Sequence, residues 1–257
     1  CCKAAEFCEF WTHNKRCFVS NFLCHTHMPL ILVFYLIISW VLGALILQRL
    51  VKTIPTVLFI VGSFLIGTLV SVPVTYFLSC LFVMTGNPML WGLITTIVIG
   101  LSVAGFMLRG KNKFKRPPVQ MISDIALILF ALAFSIWLMM KTFHGDASGQ
   151  LFVGSNNIFD FSHALGMIRS FSFGSNIPFM SPFQAGLPYF YHFLFNFYVA
   201  LWEYFGVPIV WAMNIPSIVG FTSLLVVIYF LPQLVFKQTS LVGWIAVLLT
   251  LTNSTLA

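Results

Sequence analysis

The chain is built from uninterrupted apolar runs about as long as a bilayer is thick, and these constrain its fold more than any other feature. A helix needs about 20 mostly apolar residues to cross hydrocarbon, where unpaired backbone groups are too costly to leave exposed. Residues 29–50, 54–84, 88–108 and 122–142 each reach that length, and runs at 188–205, 208–231 and 241–257 follow. Composition agrees: 60% of the 257 residues are hydrophobic and only 7% charged, where a soluble domain carries roughly a quarter charged. A single water-soluble domain is excluded. The expectation is an all-α, polytopic helical membrane protein with about seven transmembrane helices and one long external loop, residues 143–187. No period of 20–50 residues repeats, so a solenoid is excluded as well.

The net charge of +7 resembles a nucleic-acid signal until the bases are located. Arg109, Lys111, Lys113, Lys115 and Arg116 crowd one short break between apolar runs, which is how a cytoplasmic membrane loop reads; a DNA-binding face would spread along a soluble helix. The partner implied is the lipid bilayer, not nucleic acid. If spans alternate, the breaks at 49–53 and 109–121 share one face. That face then holds seven bases, against Arg169, Lys237 and the edge residue Lys141 on the other. The positive-inside rule makes the first face cytoplasmic and the 143–187 loop extracytoplasmic, in a plasma membrane. Trp91, Tyr189, Tyr191, Trp202, Tyr204 and Trp211 lie near run ends, as interfacial aromatic belts do.

Four segments follow from this. The chain opens at Cys1, its first methionine is Met28, and five of six cysteines precede that methionine. Residues 1–27 are therefore expected to be non-native or disordered, and the whole to be an N-terminal fragment. Cys24, His25 and His27 cluster there without the paired C-x2-C or H-x3-H spacing of a zinc site. Residues 28–142 carry four spans, 143–187 the external loop, and 188–257 three spans with the last cut short.

Polar residues cluster only in the loop. Asp160 to Ser170 has a helix start: a capping aspartate, helix-tolerant residues, then a Ser/Gly/Asn/Pro stop. Asp160 and His163 lie three apart and would share a helix face, whereas Arg169 lies nine from Asp160 and faces away, in need of another partner such as a phosphate. Asp160 reads equally as a plain N-cap, and Arg169 as a snorkelling side chain. Asp146, beside His144 and between Gly145 and Gly149, reads as a turn residue or as a metal or acceptor contact. His192, Asn196 and Glu203 (at +4 and +11) would line one stripe of the next span, with Glu203 near its cytoplasmic end. Asp124 reads as a helix-start charge.

The segment from Asp160 to about Gly206 resembles the first external loop and following helix of the GT-C superfamily of membrane glycosyltransferases, nearest to poorly characterised prokaryotic members. The elements that carry the resemblance are Asp160/His163, Ile168-Arg169-Ser170, Gly174/Asn176/Pro178, Ala185-Gly186/Pro188 and Tyr191-His192-Phe193. They cover about a fifth of the chain. The resemblance implies a GT-C-like fold and transfer of a sugar from a polyprenyl-(di)phosphate donor to an acceptor on the extracytoplasmic face. By carry-over Asp160 and His163 are catalytic, and Arg169, Asn176, Tyr191 and His192 contact donor or phosphate. A cofactor is not fixed; the oligosaccharyltransferase branch implies a divalent cation, Mg or Mn, at Asp160 and Asp146. The chain departs from the family in having three extra spans before the loop. Phe161 also stands where a second acid follows in the Asp-Glu mannosyltransferase branch.

The chemistry suits these parts. A polyprenyl phosphate leaves readily, so the main needs are a carboxylate to take the acceptor proton and a cation to steady the leaving phosphate. One carboxylate implies inversion, because retention needs a second as nucleophile. A transporter or flippase, or a non-enzymatic membrane scaffold, is the alternative. A transporter would break its spans with charge, Gly or Pro in matching halves.

Overall fold

The computed structural model describes residues 17–51, 53–109, 121–146, 150–154, 158–184, 186–187 and 192–253. Its architecture starts from a four-residue spacing of small side chains. On α2 (Thr56–Leu81), Ser63, Gly67, Ser71, Thr75 and Ser79 are all buried, one per turn along a single face. That face receives α1 (Cys17–Leu50) and α3 (Pro88–Leu108). Contact is so close that a Cβ on Gly43 would strike the Ser63 carbonyl and one on Gly67 the Ser39 carbonyl. Small residues let helix backbones approach in this way where no hydrophobic force drives association. Hydroxyls that would be stranded there are satisfied within their own helices: Ser63 donates to the Phe59 carbonyl, Thr75 to Ser71, Ser79 to Thr75 and Thr96 to Gly92.

A second group of helices comprises α4 (Met121–Thr142), α7 (Ile209–Val235) and α8 (Ser240–Asn253). Helix α7 packs against both α4 and α8, and polar contacts pin α4 to α7 along its length. Ser123 shares a 2.7 Å hydrogen bond with the Tyr229 hydroxyl, Thr222 donates to Ser135 at 3.0 Å, and Asn214 donates to the Phe143 carbonyl at 2.8 Å. Helices α2 and α7 join the two groups. Between them lies an apolar cleft of about 290 Å³ lined by Trp40, Ile60, Phe64, Leu132 and Val219.

The bundle has two unlike ends. At one, Arg49 donates to the Met107 carbonyl across the α1–α3 contact. The other is covered by a cap: the hairpin β1 (Phe143–Gly145) and β2 (Leu151–Val153), then α5 (Ile158–Ser172) and α6 (Leu194–Tyr204). Met167, Ile168 and Phe171 of α5 and Phe197, Val199 and Leu201 of α6 are buried in one core with Leu32, Tyr35, Val72, Met89 and Met213 from the spans. Tyr76 of α2 anchors this cap. It accepts a hydrogen bond from the Phe179 amide at 3.0 Å and packs edge-on against Phe171, Phe193 and Phe197 at 4.8–6.5 Å.

The mostly helical, membrane-type fold is as the sequence implies; the span count is not. Five helices among the described residues are long and apolar enough to cross a membrane: 29–50, Thr56–Leu81, Pro88–Leu108, Ser123–Thr142 and Ile209–Val235. The run at 188–205 is the clear correction. Its helix α6 has only 11 residues, about 16 Å of rise against roughly 30 Å of hydrocarbon. It is stopped by Gly206 at φ 92°, with the Gly206 amide bonded to the Glu203 carbonyl and the Val207 amide to that of Trp202. This is the paired bonding of a Schellman C-cap, followed at once by Pro208. The last run, expected to be a truncated span, forms the 14-residue α8. Helix α1 begins at Cys17.

Because α6 does not cross, α7 starts at the cap end and finishes at the end that carries Arg49 and Arg109. Lys237, which seven alternating spans would put with the loop, therefore lies with those arginines after α7.

Candidate functional site

The residues singled out in the sequence lie on the cap, and they separate into exposed groups and groups that hold it together. Asp160 stands in the first turn of α5 and is exposed. Its helix starts at Ile158, two residues earlier than the sequence implies, so the aspartate sits inside the turn rather than at the cap. A carboxylate there is favoured by the helix dipole. Phe159 beside it is exposed as well. No ion pair to Asp160 forms among the described residues.

His163, one turn on, does not stand open. Its ring stacks on Phe183 at 4.3 Å and 18°. The segment after α5 folds back to make this contact, and Gly166 provides the space, since a Cβ there would strike the Phe183 ring. Phe183 thus lies over the α5 face that carries Asp160 and His163, as an exposed aromatic plate.

Asn176 builds the loop that brings Phe183 back. Its amide donates to the Met180 carbonyl at 2.7 Å and to Ser170 Oγ at 3.3 Å, and its carbonyl accepts from the Met180 amide at 3.1 Å. With these bonds made, the side chain orders the turn between Ile177 and Met180. Asp146 is likewise committed: it accepts from the Gln150 amide at 2.8 Å and closes the hairpin, the turn role rather than the ligand role. His192 is exposed just ahead of α6. Tyr191 lies outside the described residues.

Arg169 has a partner the sequence did not identify. Its Nε sits 2.8 Å from Glu203 Oε1, and the second Glu203 oxygen accepts from the Ser172 hydroxyl at 2.6 Å. Half of the Arg169 side chain is exposed while that of Glu203 is 6% exposed. The guanidinium also lies over the Phe173 ring, 5.1 Å from its centre. Burial pushes the Glu203 carboxyl above its ordinary range, and the Ser172 bond and the Arg169 charge pull it part of the way back. Glu203 therefore belongs to the cap, on the same side as Arg169, and not to the opposite end of a span. Of the expected stripe only two members lie on the helix: Asn196 and Glu203 both face α5, with Asn196 reaching the Met167 sulfur at 3.6 Å, while His192 precedes the helix. The signal that would have found the pair was the Gly206 and Pro208 stop, which shortens the helix and keeps Glu203 at the cap.

Among the described residues no three His, Cys, Asp or Glu side chains gather as a metal ion would require. Asp146 and Asp160 stand on different elements, and a carboxylate oxygen of Asp146 is occupied by Gln150. At the opposite end, Asp124 stands in the first turn of α4, as the sequence implies, and is 4% exposed, beside Ser123, which meets Tyr229.

No family model, no curated protein and no solved structure matches this chain.

Proposed function

We propose that this protein is a membrane glycosyltransferase of GT-C type. It would move a sugar from a polyprenyl-(di)phosphate donor to an acceptor hydroxyl on the extracytoplasmic face, with Asp160 as base. The observation that carries the reading is the exposed carboxylate of Asp160 in the first turn of α5, on a folded cap over one end of an apolar bundle. The resemblance of residues 160–206 supplies the substrate class.

Charge supplies the orientation. The breaks after α1 and α3 and before α8 hold Arg49, Lys52, Arg109, Lys111, Lys113, Lys115, Arg116 and Lys237. The segments between α4 and α7 hold one base, Arg169, and three acids, Asp146, Asp160 and Glu203. The positive-inside rule then makes the first end cytoplasmic and the cap extracytoplasmic, more decisively than seven spans would, because Lys237 changes sides.

In the reaction, Asp160 takes the acceptor O–H proton as that oxygen attacks the anomeric carbon. The C–O bond to the lipid phosphate breaks, and the phosphate carries away the electron pair. A single carboxylate gives inversion. Arg169 contributes a cation held in place by Glu203 and still half open to an anion. Phe183 stacks on the His163 ring and fixes its orientation on the cap.

The test uses the full chain in lipid vesicles, with a panel of polyprenyl-phosphate and polyprenyl-diphosphate hexoses as donors. Asp160→Asn is expected to lower transfer about 10²–10⁴-fold at unchanged protein level. Transfer by that variant at the parent rate would remove Asp160 from the mechanism. A parent protein inactive with every donor would remove the transferase reading.

A further inference from the structure

The cleft between the two helix groups lies wholly within the spans. Trp40 on α1, Ile60 and Phe64 on α2, Leu132 on α4 and Val219 on α7 surround about 290 Å³. All of them fall inside helices long and apolar enough to cross a membrane. Ser223 on α7 is buried at its floor, while Trp40, Ile60 and Leu132 are exposed at its rim. The cleft therefore opens sideways, towards lipid.

Its lining offers nothing to a polar guest. Three of the lining side chains can donate a hydrogen bond, and each donates to the protein. Trp40 Nε1 donates to the Ile60 carbonyl at 3.2 Å, Thr222 Oγ1 to Ser135 Oγ at 3.0 Å and Ser223 Oγ to the Val219 carbonyl at 2.6 Å. Among the described residues no charged side chain lines it. An apolar cavity of this kind stays dry and takes apolar guests.

Depth identifies the guest. At about 1.5 Å of rise per residue, Ile60 lies about 6 Å, Trp40 about 15 Å and Val219 about 24 Å from the ends of their helices on the Arg49 side. The cleft thus starts close to that surface and runs to about the middle of a hydrocarbon core roughly 30 Å thick. That is the reach of one acyl chain from that leaflet. The cap and Asp160 lie at the far end, so the phosphate of any donor that Asp160 could serve would stand at the opposite surface.

We infer that one acyl chain of a phospholipid, from the leaflet at the Arg49 end, lies in this cleft between α1 and α4 with its head group outside. The chain supplies the dispersion contacts that the two walls cannot make with each other across the gap. It fills the seam between the two helix groups, which α2 and α7 otherwise join. Recognition is of the alkyl chain alone, so neutral and anionic phospholipids serve alike. The site does not rest on the transferase reading.

The experiment uses the full chain and two native reporters. Trp40 emission is taken as the difference between the parent and Trp40→Phe; Trp137, an exposed span residue, is read in the same way as the lipid-facing reference. Protein loaded with phosphatidylcholine brominated at mid-chain, which quenches tryptophan, is diluted into excess unbrominated phosphatidylcholine in mixed micelles. Both tryptophans should start quenched. Trp137 should recover at once and Trp40 roughly tenfold more slowly, because residence follows the dissociation rate. Val219→Phe puts a ring into the cleft and should make Trp40 recover with Trp137, whose unchanged initial quenching shows that the variant still sits among lipid. Equal recovery of the two in the parent overturns the inference, as does slow recovery that persists in Val219→Phe. So does a Trp40 that is never quenched, which would mean that protein covers the cleft. Retention that differs for brominated phosphatidylglycerol, or release by equimolar polyprenyl phosphate, overturns it too: the first would show a head-group site, the second a donor's tail as occupant.

Discussion

The Arg169–Glu203 pair is asymmetric, and its two halves should respond differently to deletion. In Arg169→Met, Glu203 remains buried with only the Ser172 hydroxyl as partner. Breaking a fully buried pair costs about 3–5 kcal/mol, and an exposed one roughly 0–1. With Arg169 half exposed and Glu203 at 6%, the expected cost is about 1–3 kcal/mol. Glu203→Gln keeps a partner for Ser172 and removes the buried charge, so its cost should stay below about 1 kcal/mol. The cation would then face Phe173 and water.

Acid separates the two variants further. Glu203 is raised above its ordinary 4.5 by burial, with Ser172 and Arg169 opposing. A carboxyl whose folded value is raised binds its proton more tightly folded than unfolded. Its contribution to stability is complete below the unfolded value and is lost as pH rises through the folded one. Acidification from neutral towards the ordinary carboxylate range should therefore stabilise the cap, not loosen it. Removing Arg169 removes one opposing effect and raises Glu203 more, so the penalty of Arg169→Met should shrink at the acid end. Amide hydrogen exchange across α5 and α6, at several pH values and corrected for intrinsic exchange, is the assay. Equal costs for the two variants, or a penalty for Arg169→Met that does not shrink in acid, would refute this account of Glu203 as a buried carboxylate dependent on its cation.

Two further outcomes test the fold. Gly67→Val should lower Tm by the equivalent of at least about 3 kcal/mol, because its Cβ meets the rigid Ser39 backbone, whereas Gly105→Val, with open space around it, should be close to neutral; similar losses at both sites would disprove the close α1–α2 contact. In a chain without its other cysteines, membrane-impermeant maleimide should label Phe183→Cys and Pro208→Cys from one side and Lys237→Cys from the other, and labelling of Lys237→Cys together with Phe183→Cys, with Pro208→Cys on the opposite side, would restore the 188–205 run as a span.

How much of this was readable in the residues depends on the physical effect concerned. Apolar length alone locates α2 to α4, α7 and the membrane-length part of α1, Pro29–Leu50, within a few residues, because the hydrocarbon requirement is blunt and local. It fails at 188–205, where the run is apolar enough but α6 is amphipathic about a different partner: Asn196 and Glu203 face α5 while Phe197 and Leu201 enter the core. Hydropathy cannot distinguish an apolar helix that faces lipid from one that lies against the end of a bundle. The four-residue spacing on α2 was also present in the sequence, but Ser and Thr register as mildly polar on a hydropathy scale, and their value lies in being small. What spacing could not give at all was the fold-back that lays Phe183 on His163, since it depends on the side-chain bonds of Asn176 within the loop.

The exchange of one span for a cap helix also changes what the polar residues can do. Had 188–205 crossed the bilayer, Glu203 would have stood at the far interface and Arg169 would have been an isolated cation available to a phosphate. With α6 stopped at Gly206, the two meet, and the guanidinium becomes a fixed charge whose exposed half alone can meet an anion. Asn176 and Asp146, both nominated as contacts, are consumed in building turns. Among the described residues, the exposed polar groups of the cap include Asp160, the outer half of Arg169, His144 and His192, with Phe159, Phe173 and Phe183 exposed as well. A carboxylate and a held cation among exposed rings form a smaller set than the sequence offered. Under the transferase reading, they are the groups that an inverting displacement with a phosphate leaving group would call on.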